Sequence, residues 1–288
     1  MPSLTIRHLT TYRYRQPVAF GEHRMMLRPR DSHDQRIIEA TLEISPRPAS
    51  LRFVHDAFGN HVGIARFSGR AKELSVESIV SLEHSPQDLE VDDAARVFPV
   101  HYGADEMPDL AHWIERHHAD PDDEVGRWAR QFLPTSGSIG SLEILTRIAE
   151  GIRHGFFYRR RETKGIQQPT ETLRLGHGCC RDFAMLMIEA ARSLGLAARF
   201  ASGYMTVPLE DSATGATHAW AQIYLPATGW LDFDPTSGSA GKTGLVTVAV
   251  VRDPRHATPL HGTFIGFPSD HLEMQVEVSV TSATERVA

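Results

Sequence analysis

The sequence predicts an α+β protein, a β-rich N-terminal domain followed by helices packed on an antiparallel sheet. Three observations predict it. Alternating, β-branched segments run from Leu4 to about Glu83, and beyond Asp93 the apolar residues recur at three and four instead of two. Past Gly195 the alternation returns.

Each element follows from its local pattern. Thr5-Ile6-Arg7-His8-Leu9, Ile37 to Ile44 and Leu74 to Leu82 alternate and read as antiparallel strands. Asp56-Ala57-Phe58-Gly59-Asn60 is a turn between two such strands, because Gly and Asn tolerate positive φ. Pro86 to Asp93 is polar and acidic and reads as a linker. Asp109 to Ile114 and Asp122 to Leu133 read as helices opened by acidic residues, which suit the positive end of a helix dipole. Leu142, Leu145, Ile148, Ala149 and Ile152 form one apolar stripe, an amphipathic helix ending near His154. A longer helix begins near Cys180, carries Phe183, Leu186, Met187, Ala190, Ala191 and Leu194 on one face, and ends at Gly195 as a C-cap. Ala198 to Met205, His218 to Leu225 and Trp230 to Asp234 are strand-like, as are Leu245 to Val251 and Leu272 to Val280 in the tail. The chain thereby divides into a β-rich domain over 1–85, a helical linker region over 86–140 and a core over 141–288 that includes the C-terminal strands. No internal repeat is present.

Composition removes several classes of function. With 288 residues, 41% hydrophobic and 23% charged, the chain is an ordinary globular protein of about two domains. Its formal charge of −6 argues against a general nucleic-acid binder, which needs a basic face for phosphates. The apolar run Gly244 to Val251 is too short to span a membrane, and Met1 to Leu9 lacks the plan of a secretory signal. The two cysteines, Cys179 and Cys180, are adjacent, which excludes a disulfide framework; a vicinal disulfide would be strained, and a reduced, cytoplasmic compartment is expected. Metal motifs and glycine-rich phosphate loops are missing, and the consecutive His117 and His118 point to different sides of a helix. The expectation is no metal, no cofactor, no nucleic acid and no membrane.

The residues with chemistry lie in the second half. A cysteine opening a helix meets unpaired N–H groups and the positive end of the dipole, which favour thiolate, and the same N–H groups can hold an oxyanion. Cys180 occupies such a place, although a small buried hydrophobe is the competing reading for both cysteines. His218 shares a strand face with Trp220, Gln222 and Tyr224, opposite the apolar Ala219, Ala221, Ile223 and Leu225. Asp232 and Asp234 share a face of the next strand, and periodicity does not choose between them. Asp234 also precedes Pro235, a common turn usage. Cys, His and Asp in this order can serve as nucleophile, base and orienter of the imidazole.

Four blocks carry a resemblance: Gly178-Cys179-Cys180-Arg181-Asp182-Phe183-Ala184, Arg199-Phe200-Ala201-Ser202-Gly203-Tyr204, His218-Ala219-Trp220, and Gly229-Trp230-Leu231-Asp232-Phe233-Asp234-Pro235-Thr236. Together they resemble the core of the transglutaminase-like superfamily. His8-Leu9-Thr10 with Tyr12 and Tyr14, Leu27-Arg28-Pro29-Arg30, and the Asp56 to Asn60 turn resemble the bacterial transglutaminase N-terminal region, so the likeness covers nearly the whole chain. It implies a papain-like core with the cysteine at a helix N-terminus against the sheet that carries His and Asp. It also implies the roles: Cys180 as nucleophile, with Cys179 in a variable slot, His218 as general base, and Asp234 rather than Asp232 as orienter. The implied reaction is acyl transfer through a thioester, to water in a protease or amidase or to an amine in a crosslinking enzyme, with hydrolysis favoured.

Gln167 or Gln168 is the candidate second oxyanion donor beside the Cys180 N–H. Asp182, in the first helical turn, is expected to cap N–H groups or to pair with Arg181 or Arg199. Arg159, Arg160, Arg161 and Lys164 form a basic run suited to acidic peptides, although such runs are usually solvated faces. The alternative of another class is a non-catalytic scaffold that binds a protein partner.

Overall fold

A computed structural model describes residues 3–85, 91–161, 165–206, 217–241 and 244–283. Most of the expected linker and Lys164 lie outside them. In chain order the N-terminal strands are β1 (Ser3–Met25), β2 (Gln35–Ser45), β3 (Ser50–His55), β4 (His61–Arg66) and β5 (Ala71–His84). Short strand β6 (Val97–Phe98) precedes α1 (Met107–Ile114) and α2 (Glu124–Arg130). Then come β7 (Ile139–Gly140), α3 (Ser141–Gly155), β8 (Phe157–Tyr158), α4 (Pro169–Leu175), β9 (His177–Gly178) and α5 (Cys180–Ser193). The chain closes with β10 (Ala198–Met205), β11 (Thr217–Leu225), β12 (Gly229–Asp234), β13 (Ser239–Ala240), β14 (Leu245–Val251), β15 (Leu260–Ile265) and β16 (His271–Ala283).

The first sheet is built around β1, ordered β2-β5-β1-β4-β3 with β15 and β16 also paired to β1. Leu4, Ile6, His8 and Thr10 of β1 are buried on alternate positions and face Leu82, Val80, Ser78 and Val76 across the β5 ladder. The tail corrects the division at 141–288: β15 and β16 join the N-terminal sheet, not the core. Alternation reveals which face of a strand is apolar and says nothing about which strand it will join. The stretch expected as a helical linker also packs inward, since Val125 and Ala129 of α2 belong to the main core cluster.

The second sheet is antiparallel, ordered β13-β12-β11-β10-β14. One face receives α5 and α3, whose Phe183, Leu186, Met187, Ile144, Leu145 and Ile148 pack on Ala219, Ala221, Ile223 and Phe233. The N-terminal sheet meets it through Leu4, Ile6, Val80 and Leu82, which cluster with Tyr204, Val246 and Val248.

Two side-chain amides clip the sheets together. β14 is an edge strand, and an edge leaves backbone N–H and C=O groups without partners. Gln35 stands in for a neighbouring strand, donating from Nε2 to the Thr247 C=O (2.8 Å) and accepting from its N–H (3.0 Å). Asn60 does the same at Val250, donating at 2.8 Å and accepting at 2.9 Å. Asp56 and Arg30 hold Asn60 in place. Asn60→Ala is therefore expected to strand a buried N–H and C=O and to lower unfolding free energy by about 3 kcal/mol in urea denaturation. A loss within a few tenths would contradict the clip.

A buried imidazole adds pH dependence at the same junction. His8 Nδ1 lies 3.0 Å from the Tyr204 hydroxyl and Nε2 3.1 Å from Thr10 Oγ1. Burial lowers its pKa from 6.5 to about 4. The unfolded chain thus takes up a proton that the folded one refuses, so this contribution is intact above pH 6.5 and is lost as pH falls toward 4, by about 3 kcal/mol in all. Urea midpoints of wild type and His8→Gln between pH 7 and pH 4.5 check it: the variant's stability should fall less steeply, and parallel curves would refute the assignment.

Candidate active site

The segment entering Cys180 is tightly constrained. Gly176, at φ +65°, ends α4 in the left-handed region, and β9 then leads to Cys179, whose extended backbone caps α5. A methyl group at Gly178 would lie 2.9 Å from Asp182 Cβ and 3.2 Å from Phe183, so the glycine of this block is required by close packing. Asp182 organises the loop from a fully buried position. Its Oδ2 accepts from the Cys179 N–H at 2.9 Å; Oδ1 accepts from the Gln167 N–H at 2.7 Å and from Arg161 at 2.6 Å. Burial pushes its pKa up, and these donors outweigh that effect and hold the carboxyl below its ordinary value. The partner is thus Arg161, which corrects the expectation of Arg181 or Arg199. Arg199 instead donates to Gln222 at 2.8 Å and lies 3.9 Å over the Trp230 ring.

His218 and Asp234 meet in the interior, 5% and 1% exposed. His218 Nε2 lies 3.0 Å from Asp234 Oδ2, an ion-pair distance but not on the line of a straight hydrogen bond. The ring stacks against Trp220 with an interplanar angle of 20°. Asp234 also accepts from the Thr236 N–H and the Ser237 hydroxyl, both at 2.9 Å, so it closes the Asp-Pro turn as well. Burial raises its pKa, while His218 and these donors lower it further, and the carboxylate stays below its ordinary range. Asp232 has different company: Oδ1 accepts from Trp220 Nε1 (2.7 Å) and Gln222 Nε2 (2.8 Å). Burial pushes its pKa up to about 6 despite these donors.

Both cysteines are free, Cys179 buried and Cys180 partly exposed. They titrate as a pair. The neighbouring Cys180 brings the Cys179 thiol down to about 6 against the effect of burial. Cys179 in turn, together with burial, pushes Cys180 well up. Arg181 opposes this, whereas Asp234 reinforces it.

The two glutamines differ. Gln167 is buried beside this loop, its Nε2 donating to the His177 C=O at 3.0 Å. Gln168 turns away, its Oε1 2.7 Å from His118 Nδ1. Among the described residues no three His, Cys, Asp or Glu side chains converge as metal ligands, and no helix is long and apolar enough to cross a membrane. The sequence offered Arg161 only as part of a basic run, with no sign of its pairing with Asp182, and did not single out Ser237 or Tyr158, whose phenol is pushed up to about 12 chiefly by burial and further by both cysteines. Only Ser237 carried a local signal, its closeness to the Asp-Pro turn.

Residues 4–83 match the bacterial transglutaminase-like N-terminal region, and residues 128–235 match the transglutaminase-like superfamily. The uncharacterised protein Rv2569c of Mycobacterium tuberculosis is 30% identical over 96% of this chain and 91% of its own length. The chain belongs to the bacterial transglutaminase-like superfamily. As a transglutaminase-like protein it shares its fold with a candidate cysteine protease from Cytophaga hutchinsonii, with a TM-score of 0.71 and 20% identity over 98% of this chain and 92% of that one. This links it, at the level of the family, to cysteine hydrolases and transglutaminases.

The expectation of a cytoplasmic protein is withdrawn. Among solved structures similar to this transglutaminase-like chain is the periplasmic domain of TgpA from Pseudomonas aeruginosa (TM-score 0.37, 14% identity, 80% of this chain and 87% of that one). Physically, two cysteines exclude a disulfide framework without specifying a compartment.

Proposed function

We propose that the protein is a cysteine-dependent acyl-transfer enzyme acting on a peptide or amide, with Cys180 as nucleophile, His218 as general base and Asp234 as orienter. The observation that carries the reading is the buried His218–Asp234 contact at 3.0 Å, on the sheet against which the cysteine-opened helix α5 packs. Nε2 on Asp234 leaves Nδ1 as the basic ring nitrogen. The bent contact of the resting protein tightens when the imidazole becomes charged.

In the first half-reaction Cys180 Sγ bonds to the carbonyl carbon while its proton passes to His218 Nδ1. The oxyanion accepts from the Cys180 N–H and from the Gln167 side-chain amide. Collapse breaks the C–N bond, and the amine leaves with the proton from His218. The thioester is then attacked by water or a primary amine, whose proton goes to His218 as the C–S bond breaks and finally returns to the Cys180 thiolate. The chain's own side chains suffice for these steps.

Mass spectrometry of a peptide library incubated with the protein, with and without a primary amine, tests the reading. Hydrolysed or amine-linked products that vanish in Cys180→Ala are expected. Unchanged peptides together with an unreactive residue 180 would favour the non-catalytic scaffold.

A further inference from the structure

Beside the candidate nucleophile lies a surface that the fold itself does not consume. β8 runs parallel to β9, with the Phe157 N–H donating to the Gly176 C=O at 2.9 Å and the Arg159 N–H to the Gly178 C=O at 2.8 Å. The chain from Phe157 to Arg161 therefore lies alongside the residues that lead directly into Cys179 and Cys180. Its apolar side chains face outward: Phe157 is 82% exposed, Tyr158 50%, and Leu175 next to them 51%. Large side chains of this kind, grouped at one place, mark binding surfaces.

The same place is cationic. Arg159 and Arg160 are exposed and Arg181 is partly so. Among the described residues none of the three has a carboxylate partner, whereas Arg161 is bound to Asp182. Arg160 and Arg181 both act on the Tyr158 phenol, as do the two cysteines, and Arg181 acts on Cys180 itself. In a chain of net charge −6, this local field is opposite in sign to the whole.

We propose that this surface is the acyl-donor subsite, and that it selects peptides with an acidic and an apolar side chain beside the attacked carbonyl. The proposal rests on the reading of Cys180 as the nucleophile. The cations neutralise the substrate carboxylate, and Phe157, Tyr158 and Leu175 cover the apolar side chain.

Iodoacetate and iodoacetamide test it without a known substrate, because both form the same S–C bond and release iodide but differ in charge. Rates at residue 180 are measured in Cys179→Ser, and the iodoacetate/iodoacetamide ratio is compared with that of the urea-unfolded chain. The ratio cancels any change in thiolate fraction. It is expected to be about fivefold higher in the folded protein, to shrink in 0.5 M salt, and to fall to the unfolded value in Arg160→Gln/Arg181→Gln. Chloromethyl ketones of acetyl-Phe-Glu-Gly should label faster than those of acetyl-Phe-Gln-Gly or acetyl-Ala-Glu-Gly. A reactive residue 180 with no charge preference, or with one that survives the double substitution, overturns the subsite and leaves the nucleophile standing. A thiol that neither reagent labels overturns both.

Discussion

Cys180→Ser is expected to reduce turnover of a peptide substrate by about 10⁴-fold or more, while Cys179→Ser stays within about tenfold of wild type. The contrast separates acidity from access. Cys179 has the lowered pKa, yet it is buried at the N-cap and its backbone N–H is held by Asp182. Cys180, with the raised pKa, is partly exposed in the first turn and needs a base to give up its proton. A serine hydroxyl at residue 180 is far harder to ionise than a thiol and attacks poorly in a site built around sulfur. Intact-mass detection of the acyl-enzyme, together with kcat/KM, reads both variants. A large loss in Cys179→Ser with little change in Cys180→Ser would invert the assignment.

Asp234→Asn should lower kcat by about 10³- to 10⁴-fold, and Asp232→Asn by less than about tenfold. Asn at 234 keeps the shape but removes the charge that steadies the imidazolium, and its NH₂ group favours the wrong tautomer of His218. Asn at 232 can still accept from Trp220 and Gln222 through its amide oxygen, so its network survives. Because Asp234 is held below the ordinary carboxylate range, its charge persists throughout the neutral range, and activity should not titrate with it there. Steady-state kinetics at pH 7, with circular dichroism to establish that both variants fold, distinguishes the two residues. Equal losses would mean that Asp234 is only the turn residue its Asp-Pro context allows.

Much of this arrangement was legible because it is local. The stripe on α5 and the alternation of β10 and β11 follow from burial on one face, and the strand over Ala198–Met205 matches its expected bounds. Only Thr5 to Leu9 of β1 stands out by its alternation, whereas the strand runs on through Pro17 and Gly21 to Met25. In the fold, the β5 register shifts between Arg13 and Val18, where Pro17 needs no ladder partner, and Gly21 packs against Thr263. The pairing of β15 and β16 with β1, the amide clips at Thr247 and Val250, and the Arg161–Asp182 contact all join residues distant in sequence. Their partners are chosen by tertiary packing, for which hydrophobic period holds no information. At the site, periodicity left Asp232 and Asp234 equivalent; they differ because Asp234 lies at the strand end, within reach of His218.

The central claim is that His218 governs the ionisation of Cys180. The most direct measurement is the pH dependence of iodoacetamide alkylation at residue 180, in Cys179→Ser so that one thiol is present, with and without His218→Ala. The account predicts that alkylation near neutral pH slows and that the apparent pKa of residue 180 rises by on the order of one unit when the histidine is removed. Identical pH profiles with and without the histidine would contradict it.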